Sequence, residues 1–149
     1  MDAEQTIKKQ YQRMIILWFA ILGSISLLFI MMTIVAPGRT EPPAGSDRIL
    51  VLALTIVAVS LVLVSLIMKQ RLLRLSVDRQ DPRLVQSTMI LGSALSEAAA
   101  LFGLVLRFVT GWDKFYLLFV LAVAGLLLHF PRRSNLVAAS APISLNKQV

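Results

Sequence analysis

Hydrophobic residues along this chain gather into four blocks, separated by short segments that are basic, polar or rich in helix breakers. Residues 14–35 and 49–68 contain no charged side chain. About 20 helical residues at ~1.5 Å each cross a ~30 Å hydrocarbon core, so each of these blocks predicts a membrane-spanning helix. A cleavable signal is the competing reading of the first. That block exceeds the usual ~7–15-residue signal core and no cleavage-like site follows, so a retained span is expected. The third block, 88–109, is interrupted at its middle by one charge, Glu97, and carries Arg107 near its end. The fourth, 115–130, is the shortest. Residues 110–114 leave room only for a tight turn, which makes the last two spans an antiparallel hairpin.

The polar segments read as connections. Residues 36–48 hold Pro37, Gly38, Pro42, Pro43 and Gly45 and predict an outer loop, with Ser46 or Asp47 capping the next helix. Residues 69–87 form a basic connection in which helical leucine spacing continues past the second span. There Asp81-Pro82 is a helix-start signal, Asp at the N-cap and Pro in the first turn. The third helix should therefore run from about Pro82 to Val109. Residues 1–13 read as a mixed polar tail. Residues 131–149 show no sustained pattern and read as a flexible one. No internal repeat relates the two hairpins.

Composition agrees with the pattern and narrows the function. The chain has 149 residues, 57% hydrophobic and 15% charged, with a mean hydropathy of +0.78. Soluble domains carry about a quarter charged residues. With no Cys and a single His, no thiolate or histidine metal site and no cysteine nucleophile is available. Without a nucleophile motif or phosphate loop, neither an enzyme nor a cofactor is expected.

The net charge of +7 matters through its placement. Lys8, Lys9 and Arg13, then Lys69, Arg71, Arg74, Arg79 and Arg83, then Arg132, Arg133 and Lys147 fall on one side of four alternating spans. Only Arg39, Arg48, Lys114 and Arg107 fall on the other, where Trp112 and Tyr116 form an aromatic anchor. Tyr11 and Trp18 read as anchors at the basic side. The positive-inside rule makes the basic side cytoplasmic. The expected fold is all-α: an integral membrane four-helix bundle of two antiparallel hairpins, multi-pass in the cell (inner) membrane, with both termini cytoplasmic. The basic residues then serve orientation and lipid, and no nucleic-acid partner is expected.

Glu97 is the costly residue. A charged side chain at mid-bilayer costs about 2.5–3.5 kcal/mol on insertion scales, so it faces a polar interior or takes up a proton. Gln86 and Ser93 share its helix face and supply a supporting polar stripe, making Glu97 the candidate proton-binding residue. Gly92, Ser96 and Ala100, with Ala99 and Gly103, form a strip of small residues suited to close helix packing, within the chain or between copies. The rival reading makes Glu97 interhelical glue, bonded to Thr55, Ser60 or Ser65 of the second span. Arg107 is too far along the helix to pair with Glu97 and is expected to snorkel to the outer interface. His129 is expected at the inner interface.

Two stretches resemble a known family. Arg79-Gln80-Asp81-Pro82 followed by Met89-Ile90-Leu91-Gly92-Ser93-Ala94-Leu95-Ser96-Glu97-Ala98-Ala99-Ala100-Leu101-Phe102-Gly103-Leu104-Val105 resembles subunit c, the proteolipid of the rotary F-type ATP synthase. That family has a polar Arg-Gln-Pro loop before a helix with an Ala-Leu-x-Glu-Ala pattern. The resemblance implies that Glu97 is an ion-carrying carboxylate, and that Arg79 and Gln80 belong to a loop that contacts other subunits. Asp81 is an insertion in the motif, and residues 49–68 contain no Gly where the family's first helix is Gly-rich. The implied relation is a diverged proteolipid that keeps the proton-binding helix rather than a rotor ring. The resulting expectation is a small membrane protein with a proton site, working as a homo-oligomer or a subunit of a larger membrane complex. The alternative is an accessory or assembly subunit that uses Glu97 for packing.

Overall fold

The computed structural model of the protein describes residues 3–35 and 45–140. All its regular structure there is helical: α1 (Ala3–Val35), α2 (Gly45–Asp78), α3 (Pro82–Thr110), a 3₁₀ turn (Asp113–Phe115), α4 (Tyr116–Leu128) and α5 (Arg133–Ser140). Three helices, α1 to α3, are long and apolar enough to cross a membrane; a fourth span is completed only if α4 and α5, bent by 42°, are taken together. Most of the expected outer loop and the end of the C-terminal tail lie outside the described residues.

α3 is the central element. It packs along α2 and α4 and also meets α1, whereas α1 and α2 make no contact with each other among the described residues. The expected first hairpin is therefore not a packed pair; α1 lies instead against α3 and α4. Its inner edge is Met14, Trp18, Ile25 and Met32, all buried and spaced on one helix face. The outward faces of α1 and α2 expose large apolar side chains such as Ile16, Leu27, Ile49 and Leu63, the arrangement of helices surrounded by lipid.

The turns follow local chemistry. α2 ends with Gln80 in the left-handed region (φ 51°), and the Asp81 N–H donates to the Ser76 carbonyl at 3.0 Å. Asp81 then caps α3, its carboxylate accepting from the Arg83 N–H at 2.9 Å, with Pro82 in the first turn. α3 ends at Gly111 (φ 66°), whose N–H donates to the Arg107 carbonyl at 3.0 Å. A side chain there would meet the left-handed penalty that Gly avoids.

Three differences from the sequence reading have physical causes. α1 begins at Ala3, because residues in the polar stretch such as Gln5, Lys8 and Lys9 are good helix formers. Residues 133–140 form α5 where no element is expected; it buries Leu136 and Ala139 against the neighbouring helices. Trp18 is no interfacial anchor: it is buried and donates its indole N–H to the Leu126 carbonyl at 3.0 Å. Arg107 points into the α3–α4 turn, where its guanidinium binds Asp113 at 2.5 Å and lies 5.2 Å from the Phe115 ring centre.

Candidate functional site around Glu97

Glu97 is half-buried on α3, one turn after Ser93. Ser24 of α1 donates its hydroxyl to the Glu97 Oε1 at 2.9 Å, a bond between helices 73 residues apart in sequence. Ser24 and Glu97 each stand near the middle of an apolar block, so both sit at similar depth. The donors expected on α2 are otherwise engaged: Thr55, Ser60 and Ser65 donate to carbonyls of their own helix, those of Val51, Ile56 and Val62.

Ser93 is fully buried, and its hydroxyl has no hydrogen-bond partner among the described residues. Gln86, further along the stripe toward the α2–α3 turn, is half-buried. The site thus offers one carboxyl group, one bound hydroxyl donor and, a turn away, a second buried hydroxyl with unused capacity. It can hold a proton, and its few oxygen donors suit a proton better than a metal ion. No metal-binding group of His or acidic residues occurs among the described residues.

The small-residue strip lies inside the chain. An added Cβ at Gly92 would fall 2.0 Å from the His129 ring, and one at Gly103 would fall 3.1 Å from Leu118 and 3.2 Å from the Phe115 carbonyl. Ser96 faces Gly125 of α4, where a Cβ would fall 2.6 Å from its hydroxyl. Ala99 and Ala100 are completely buried. The strip is therefore the surface on which α4 closes upon α3. Arg79 is exposed and Gln80 half-buried at the α2–α3 turn, away from Glu97.

His129, expected at the inner interface, packs inward. It is buried, its ring seated over Gly92, with Nδ1 2.7 Å from the Gly125 carbonyl and Nε2 3.4 Å from the Ser65 carbonyl. Both ring nitrogens face acceptors, and a neutral imidazole donates to only one of them. Between α1 and α4 an open groove of about 580 Å³ runs along the outside of the bundle, lined almost wholly by apolar residues including Phe29, Phe119 and Val120.

Glu97 stands out in the sequence, whereas Ser24 does not. A mid-span hydroxyl was the available signal, and Ser60 shares it. Only the packing order, with α1 rather than α2 beside Glu97, distinguishes them. Comparison with protein-family models, with curated proteins and with solved structures gives no match.

Proposed function

We propose that this is a small polytopic membrane protein that binds and releases a proton at Glu97, a diverged proteolipid-like component. The observation that carries the reading is the Ser24–Glu97 hydrogen bond at 2.9 Å, in the middle of two apolar helices. A charged Glu at that depth costs about 2.5–3.5 kcal/mol. A hydrogen bond to a charged group returns about 1.5–3 kcal/mol. The two magnitudes are comparable, so the charged and protonated forms are both accessible without expelling the helix. The likeness of residues 79–105 to subunit c supports the same role. In this reading the chain makes four spans in the cell membrane, both termini lie on the basic cytoplasmic side, and the protein works as a homo-oligomer or within a larger membrane complex.

A hydrophobic carbodiimide tests the reading, because it reacts with protonated carboxyl groups in apolar surroundings. Glu97 should be modified selectively in intact membranes, less as pH rises, and Glu97→Gln should abolish the product. Absence of modification across the pH range defeats the proposal.

A second reading makes Glu97 a packing residue in an accessory or assembly subunit. It is favoured by the separation of α1 from α2, which leaves Ser24–Glu97 as a polar tie between α1 and the rest of the bundle. Under it, Glu97→Gln retains assembly because the amide still accepts a hydrogen bond, while Glu97→Leu weakens it.

A further inference from the structure

α4 stops at Leu128, and the chain turns through Pro131 into α5, leaving a small cavity between this turn and the sides of α1, α2 and the first turns of α3. Its volume is about 20 Å³, and its lining includes Lys69, His129, Arg132 and Asn135 above an apolar floor with Met14 and Val85. No acidic side chain among the described residues lines it. The Lys69 ammonium donates to the Leu128 carbonyl at the end of α4, which fixes it to the cavity wall. Arg132, on the exposed turn after α4, lines the same cavity. An anion at the mouth would be attracted by both cations.

The surroundings identify the anion's source. Met68, Leu128 and Phe130 next to the cavity expose apolar side chains, as residues facing acyl chains do. Lys69 follows the second apolar block directly and Arg132 follows the fourth after Pro131, positions at which a spanning helix meets lipid headgroups. The space admits one water or one phosphate oxygen rather than a whole headgroup, so a phosphate at the mouth would direct a single oxygen inward.

We propose that this cavity binds the phosphate of an anionic phospholipid, held by Lys69 and Arg132 with Asn135 beside them. The site is independent of any role for Glu97. Inorganic phosphate shares the chemistry but not the apolar contact beside the cavity.

Native mass spectrometry of the full chain, titrated with phosphatidylglycerol or phosphatidylcholine, tests the assignment. One phosphatidylglycerol should bind with about five- to tenfold preference. Arg132→Gln, which leaves the Lys69–Leu128 bond in place, should remove most of that preference. Arg71→Gln, on an exposed side chain of α2 outside the cavity, should keep it. If Arg132→Gln does not fold, Asn135→Asp should give the same loss by placing a negative charge in the lining. Equal binding of the two lipids overturns the proposal, as does an equal loss in Arg71→Gln. Full displacement of phosphatidylglycerol by millimolar inorganic phosphate would assign the cavity to the free ion and overturn the lipid assignment.

Discussion

At the scale of single residues, the chemistry concentrates on a carboxyl group, two hydroxyls and an imidazole. Glu97 was legible because one charge in the middle of an apolar block is energetically conspicuous. Ser24 was not, because a hydroxyl in a lipid-facing helix ordinarily donates to its own backbone, as Ser26 and Ser60 do here. Ser24 departs from that habit by reaching across to α3. Removing it leaves the Glu97 carboxylate without this donor, a loss of about 1.5–3 kcal/mol for the charged form alone. Ser24→Ala should therefore extend carbodiimide modification of Glu97 to more alkaline pH, and Ser24→Thr should restore the original profile. An unchanged profile in Ser24→Ala would mean that the bond contributes nothing to the protonation balance. His129 escaped the sequence reading for a different reason: its place at the end of an apolar block suggests an interface, and only Gly92 on the facing helix makes room for the ring.

At the scale of elements, the boundaries of α3 were the readable part. Asp81-Pro82 starts α3 and Gly111 ends it, each through a hydrogen bond that the residue type dictates. α5 was not readable. A helix this short has little stability of its own and forms by burying Leu136 and Ala139. The strip of small residues was visible as a packing surface, but whether it met α4 or another copy depended on the tertiary arrangement. Since α4 fills it, enlarging it should damage the monomer. Gly125→Ala would drive a methyl into Ser96, with a cost of about 1–3 kcal/mol as for overpacked cores. The loss should appear as a lower midpoint in detergent-denaturation curves. Gly23→Ala, where an added Cβ would meet nothing within 4 Å, should leave the midpoint unchanged and serves as the control.

At the scale of the whole molecule, hydropathy was enough to predict helices that span a membrane, because length and composition alone define them. The arrangement was less accessible: the chain order suggests two hairpins, whereas α3 and α4 form the centre, with α1 and α2 apart on their flanks. The chain contains no Cys, so single cysteines report sidedness without background. Under the proposed topology, cysteines at Arg79 and Arg133 should react with an impermeant maleimide only after the cytoplasmic face is opened. A cysteine at Lys114 should react in intact cells. Labelling of Arg79 and Lys114 from the same side would refute the four-span arrangement. The central claim is narrower: Glu97 exchanges a proton. Infrared difference spectra of the reconstituted protein between acidic and alkaline pH examine that carboxyl group directly. A protonated-carboxyl stretch that disappears reversibly on raising the pH, and that is missing in Glu97→Gln, is the predicted result. An identical difference spectrum for wild type and Glu97→Gln would contradict it.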